Sequence, residues 1–420
     1  MQSSLAKILI IFLFPIISFA SVWETTNYWD QEWESKFSDW MKLEVSRDIF
    51  KNPQSKWNNT KTDCADAAYA MRIIFSYENG LPFQMKNPSG ARPVDGEVAK
   101  FLTNETNAFD NYEQGPKRVI RFIEYIGDSV GTEHLAYHDT YSTTVQNINA
   151  GHIYIYQYGG GTRHTYIVKD RLLDGNLILY WSTVPKAPRR LAKKKGMPAG
   201  FTGRPWGFKR FKQPEFYNTE YVYSEDTAAS KEQYKILEKV GKRKVNDTIK
   251  KMLQLEEENL LTGIQKYIDN ACEALKDRVE VVQITQDFLK EKSGRCMSES
   301  EYNDYSTPGR DSGIAQTIST LLDSWETVVE TGRTNELPSN LTKALNFLSG
   351  ESKHGEEELT KLCQISFEHK NKTYKLNLND FYERYNSKSL FGRRKLSPYP
   401  NDPVTLRWGL KGKKSKCKKY

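Results

Sequence analysis

The chain has 420 residues, with 61 lysines and arginines against 53 aspartates and glutamates, for a formal net charge of +8. Hydrophobic residues supply 38% of it and aromatics 12%, enough for a folded core at a length that calls for two domains. The modest positive charge suits an anionic surface or polymer and excludes the dense basic footprint of a nucleic-acid binder.

At the start, Lys7 precedes an apolar run from Ile8 to Phe19, and Ser18-Phe19-Ala20 offers a small-x-small cleavage site before Ser21. The run is about twelve residues, short of the roughly twenty that a membrane-spanning helix needs, so residues 1–20 read as a signal peptide. The expectation is an exported protein, periplasmic or extracellular, with no transmembrane segment. An oxidising compartment then governs Cys64, Cys272, Cys296, Cys363 and Cys417. Five is odd, and Cys64 stands some two hundred residues from the others, so it is the natural free thiol. Connectivity among the other four stays open, with Cys272–Cys296 plausible by proximity.

Trp29, Trp33, Phe37 and Trp40 recur at helical spacing and predict an amphipathic helix that packs through an aromatic stripe. Asp63-Cys64-Ala65-Asp66 opens a second helix through Tyr77, ended by Glu78-Asn79-Gly80-Leu81-Pro82. Residues 87–114 read as a long loop, and Arg118 to Ile126 as a short helix. Then the period changes. His152–Tyr156, His164–Val168 and Leu177–Trp181 are rich in β-branched and aromatic residues and form a predicted antiparallel meander, with Gly207–Phe211 as one more strand. Gly159-Gly160-Gly161 reads as a turn within it. From about Ser224 the pattern turns helical, with Val245, Ile249, Leu253, Ile264 and Ile268, and later Ile314, Ile318, Leu321 and Trp325, at three-four spacing. Tyr302 to Gly313 reads as a loop, and Ile365 to Leu378 as a hairpin turning at Lys370-Asn371-Lys372. Residues 411–420, with six lysines, read as a solvated basic tail. The predicted organisation is a signal peptide over 1–20, an α+β domain over 21–223, a mainly helical domain over 224–410 and the tail.

Cys64 is the residue with most chemical promise. At a helix N-terminus the dipole stabilises a thiolate and lowers its pKa, while free backbone N–H groups can hold an oxyanion. A nucleophilic thiol also needs a base, and His164 or His152 at the mouths of adjacent strands could supply one. His134 and His138 are four apart, with Glu133 and Asp139 beside them, but Gly131, Tyr137 and Thr140 around them argue against the helix a metal pair would need. No Gly-x-Ser-x-Gly elbow, His-Glu-x-x-His or Walker loop is present.

A helix-borne cysteine followed by a strand-borne histidine is the order of the papain superfold. Asp63-Cys64, Leu81-Pro82, Ala150-Gly151-His152-Ile153-Tyr154-Ile155-Tyr156 and Arg163-His164-Thr165-Tyr166-Ile167-Val168 together resemble the NlpC-type cell-wall endopeptidases. Cys64-x-Asp66-x-Ala68 with Gly80-Leu81-Pro82 is similar to the bacterial transglutaminase-like family as well. The likeness spans roughly residues 55–215 and implies a papain-like N-terminal domain in which Cys64 is the nucleophile and His164 the base. It implies hydrolysis of an amide bond in wall peptide, or protein processing or acyl transfer in the second family, without metal or organic cofactor. Here the sequence departs from both families. His152 stands where an acidic residue is expected. The strand that would carry the orienting third residue reads Leu177–Trp181, leaving Asn176 and Ser182 at its ends as the candidates. The remaining alternative is a degenerate papain-like fold that serves the envelope as a binding or scaffolding module.

Overall fold

The computed structural model describes residues 21–88, 100–158, 161–198, 200–217, 220–223, 229–293, 295–306, 308–369 and 372–386, with short segments at 396–397 and 413–414. The expected signal peptide, Gly159-Gly160, the hairpin tip at Lys370-Asn371, Cys417 and most of the basic tail lie outside the described residues. The chain forms a mixed α and β structure built on an antiparallel sheet. Among the described residues no helix is long and apolar enough to cross a membrane.

Helix α1 (Gln31–Leu43) is capped by Asp30, whose side chain accepts from the Trp33 backbone N–H. Its aromatic stripe docks as predicted: Phe37 is buried, and Trp33 and Trp40 gather around Phe75 of α2 (Cys64–Glu78). In α2 nearly every residue is buried, so this helix runs through the core rather than over its surface. Asp63 and Asp66 form a reciprocal capping box at its start. It ends at Asn79, and Gly80 follows at φ +59°.

The predicted loop after α2 holds a short hairpin, β1 (Gln84–Lys86) and β2 (Phe101–Thr103). Helix α3 (Pro116–Ser129) follows, packed on α2 through Val119, Phe122 and Ile126. Then α4 (Thr132–His134) runs straight into a π-helical turn, Leu135–Asp139. The non-helical reading of this stretch is therefore corrected. His134 and His138 lie one turn apart, with ring centroids 4.7 Å from each other.

The meander is realised as β3 (Thr140–Ser142), β4 (Ile153–Gln157), β5 (Arg163–Arg171), β6 (Leu177–Trp181), β7 (Ala192–Lys195) and β8 (Gly207–Phe211). They form one six-stranded antiparallel sheet in the order β3-β8-β4-β5-β6-β7. A further hairpin, β9 (Pro214–Tyr217) with β10 (Glu220–Tyr223), follows.

Both faces of this sheet are covered. Ile153, Ile155 and Ile167 face α1, α2 and α3. Tyr154, Tyr156, Tyr166, Val168 and Phe208 face α5 (Glu232–Val240) and α6 (Val245–Leu253) through Tyr234, Val245 and Ile249. The first helices after residue 224 thus belong to the sheet's core, and the helical core proper begins after Leu253. Their apolar spacing was visible in the sequence, but nothing there says which core they enter.

That second core joins α7 (Leu260–Glu291), α9 (Pro308–Glu330), α10 (Ser339–Ser349), α11 (Glu356–Leu362) and α12 (Leu378–Asn386) around Trp325, Leu321 and Leu345. The short α8 (Glu299–Glu301) leads into a π-helical turn over Tyr302–Ser306, so the predicted loop at 302–313 is largely helical. The hairpin β11 (Gln364–His369) with β12 (Lys372–Asn377) matches expectation. Cys272 on α7 pairs with Cys363, not with Cys296. Proximity along the chain misled because α7 runs on for five turns past Cys272 and carries Cys296 away, while α11 returns beside it. Cys296 is disulfide-bonded as well, and Cys64 is the free thiol.

The two halves are held together by charge. Arg47 donates to the Leu191 carbonyl and to both carboxylate oxygens of Asp277 at 2.9 and 3.1 Å, and it also meets Glu273. Asn270 of α7 accepts from the Lys195 N–H at 2.8 Å and donates to the Lys195 carbonyl at 2.7 Å, on the outer strand β7.

Candidate functional site

Cys64 sits at the first position of α2, as the cap residues dictate. Its sulfur lies 3.4 Å from Thr132 Oγ1, and Thr132 is in turn 3.4 Å from Thr165 Oγ1. The Thr165 backbone also offers the sulfur a hydrogen bond. Burial, and then the Asp63 carboxylate beside it, push the thiol up to about 12; Thr132 and Thr165 pull against this, and Asp66 adds to it. The expected depression of the thiol is thus reversed. The helix N-terminus is already satisfied by two carboxylates, so the dipole that would favour a thiolate is spent on them.

His164 does not meet this sulfur. On β5 successive side chains alternate between faces. Thr165 and Ile167 point toward α2, while His164, Tyr166 and Val168 point to the other face. The His164 ring packs edge-on against Tyr166 at 4.8 Å, Tyr156 at 6.1 Å and Trp181 at 6.2 Å between centroids. Burial, with a smaller repulsion from Arg310, drives the imidazole down to about 3. It is a neutral ring in an aromatic box, and among the described residues no carboxylate or amide bonds it.

Neither proposed orienter backs it. Asn176 is buried and donates to Glu258 Oε1 at 3.0 Å, in a cluster with Lys250 and Lys266. Ser182 donates to the Thr62 carbonyl at 2.9 Å and so pins the segment that leads into α2. Both are structural ties to other parts of the chain. The other candidate base, His152, is driven down to about 4, chiefly by burial, and sits at the far end of β4 beside Glu34, Arg72 and Arg210.

Several groups near the thiol were not singled out from sequence. Lys186 reaches Asp66 at 3.0 Å and Asp128 at 2.7 Å, on the far side of the capping box. Burial and the neighbouring Asp63 raise Asp66 to about 6, against the pull of Lys186. Arg310, from the start of α9, donates to Thr183 Oγ1 at 2.9 Å and to the Val184 carbonyl, which ties the helical half to the segment that follows β6. Thr132 carried no local signal, lying three residues past a helix end. Thr165 could have been found by counting alternation from Ile167, had the sheet shown one polar face.

His134 Nε2 bonds the Lys86 carbonyl at 2.8 Å and stands 3.5 Å from Asp139 Oδ2. That buried carboxylate already accepts from Tyr69 at 2.5 Å, Tyr223 at 2.6 Å and the Lys86 N–H at 2.7 Å. The pair is a packing feature around a filled carboxylate. Among the described residues no group of three or more His, Cys, Asp or Glu side chains could hold a metal ion. Compared with family models, with curated proteins and with solved structures, the chain has no match.

Proposed function

We propose that this chain is an exported binding or scaffolding protein of the cell envelope, a papain-like fold that carries a cysteine on its central helix without the apparatus to use it. One observation carries the reading. Thr165, not His164, occupies the side of β5 that meets Cys64, so among the described residues the sulfur's side-chain hydrogen-bond neighbour is a hydroxyl and not an imidazole. A thiol held near 12 has a negligible thiolate population at neutral pH, and an imidazole held near 3 is a poor proton acceptor. The order of helix, insertion and strands supports the papain-like assignment, and the apolar run from Ile8 to Phe19, read as a leader, supports export. No metal or organic cofactor enters this reading.

The experiment is alkylation of Cys64 by iodoacetamide at neutral pH beside a free peptide cysteine, with amide hydrolysis measured for the parent and Cys64→Ala. Labelling of Cys64 is expected to be slower by about two orders of magnitude or more, as its thiolate fraction falls. No cleavage of peptidoglycan stem peptide or of protein should depend on Cys64. Cys64-dependent cleavage of wall peptide would restore the NlpC-type hydrolase. Cys64-dependent processing or acyl transfer on proteins would restore the transglutaminase-like enzyme.

A further inference from the structure

At the end of the sheet where β4 begins and β8 ends, a cavity of about 280 Å³ opens between α1 and the 146–152 segment. Its walls are largely polar, with three arginines, Arg72, Arg171 and Arg210, and one acid, Glu34. Arg72 is bound through both terminal nitrogens to Glu34, at 3.1 and 2.6 Å, so that pair is internally neutral. Arg171 and Arg210 are different. Among the described residues neither makes an ion pair: Arg171 donates to the Gln146 carbonyl at 3.0 Å, and the Arg210 guanidinium lies 4.5 Å over the Tyr141 ring. The cavity therefore carries two cations in excess.

His152 lines the cavity too, but its Nδ1, which has no hydrogen-bond partner, is shut off from solvent and so does not open onto it. The wall is also fixed in place. Gly151 adopts φ +84°, and a Cβ there would lie 2.7 Å from the Phe37 ring, so the 146–152 segment sits directly on α1. Gly151 N–H donates to the Val168 carbonyl and Val168 N–H to the His152 carbonyl, both at 2.8 Å, which anchors that segment to β5.

We propose that this cavity binds a small hydroxylated organic acid, with its carboxylate between Arg171 and Arg210 and its hydroxyls on Glu34 and the Asn147 and Asn149 amides. Two guanidinium groups without carboxylates fit an oxyanion by charge-assisted hydrogen bonds. The volume is at the small end for ligand pockets and suits one sugar-sized unit rather than a nucleotide or a peptide. An acidic sugar of the hexuronic type meets both conditions. The inference deepens the binding reading above by naming a ligand class, and Cys64 is not among the residues that line the cavity. Alkylation of Cys64 tests that reading, and binding at this cavity tests this one.

The test is calorimetric titration of the full mature chain with glucuronate, glucose and sulfate, repeated on Arg210→Gln, Arg210→Lys and Arg171→Gln. Glucuronate is expected to bind, with glucose at least about tenfold weaker because it lacks the charge. Arg210→Gln and Arg171→Gln should each weaken glucuronate about tenfold or more, and Arg210→Lys by less. Thermal melting of each variant establishes that it is folded, and sulfate should compete with glucuronate for the same site. The proposal is overturned if glucuronate gives no heat at millimolar concentration, if it binds no better than glucose, if sulfate binds while glucuronate does not, or if folded arginine variants bind it as the parent does.

Discussion

His164 and Thr165 are adjacent in sequence and lie on opposite faces of the same strand, and that single step separates a ring in an aromatic box from a hydroxyl at the Cys64 thiol. A one-residue shift on a strand exchanges its two faces. A base could therefore be supplied from position 165.

Thr165→His would put an imidazole on the side of the sheet where the sulfur lies. Thr165 is fully buried, so the larger ring should cost about 1–3 kcal/mol in overpacking, read as a lower urea midpoint. Iodoacetamide should then alkylate Cys64 at least about tenfold faster than in the parent at neutral pH. Unchanged labelling in a folded variant would mean that burial alone, and not the missing base, silences the thiol.

Acid should act on the fold through His152 and His164, two half-buried rings. His152 is held near 4 and His164 near 3, against 6.5 for an unperturbed ring, in both cases chiefly by burial. Both rings are neutral in the folded chain and take up protons on unfolding below pH 6.5. Their contribution is complete above pH 6.5 and is lost as the pH falls toward 4 and then 3. Asp277 runs the other way. Burial lifts it from 3.8 to about 7 despite the pull of Arg47, so its contribution is full below 3.8 and is lost as the pH rises through 7. Asp66, raised to about 6, acts with Asp277 against the histidines, so the readout is the difference between chains: melting temperature should fall more, or rise less, between pH 6.5 and 4.5 in the parent than in the double variant His152→Gln/His164→Gln. Parallel curves for parent and variant would rule out the histidines as a source of pH dependence.

Arg47 should be costly to remove. It is buried, holds the Leu191 carbonyl, and faces Asp277 and Glu273 across the two halves. Arg47→Met leaves two partly buried carboxylates facing each other and should cost about 3 kcal/mol. The double variant Arg47→Met/Asp277→Asn should recover part of that loss, a coupling measurable by urea denaturation.

The Cys272–Cys363 bridge closes a separation of 91 residues. Chain entropy assigns a loop of that size about 4–5 kcal/mol. Cys272→Ala/Cys363→Ala should lower the stability of the helical half by about that amount, seen as a lower melting temperature.

Much of the architecture was legible in the sequence. The strands around Tyr154, Tyr166 and Leu179 announced themselves through aromatic and β-branched runs, and α2 through its two aspartates and Gly80. The face of each strand was not legible. A sheet covered on both sides has apolar residues at every position, so Tyr154-Ile155-Tyr156 and Tyr166-Ile167-Val168 carry no inward-outward alternation. The thiol at a helix start was legible, but its partner depended on that hidden parity. Cys363 was equally hidden, because the length of α7 decides which cysteine returns to Cys272. The cavity beside α1 draws Arg171 and Arg210 from separate strands, and no local motif joins them.

Asn270 has a consequence for how the molecule meets its own copies. By bonding both backbone groups of Lys195, its amide imitates the next strand and finishes the ladder with a side chain. A chain truncated before Leu260 would lose that stopper and leave a bare, pairing-competent margin, inviting end-to-end polymer growth between molecules. The helical half therefore covers the margin of the sheet at Lys195.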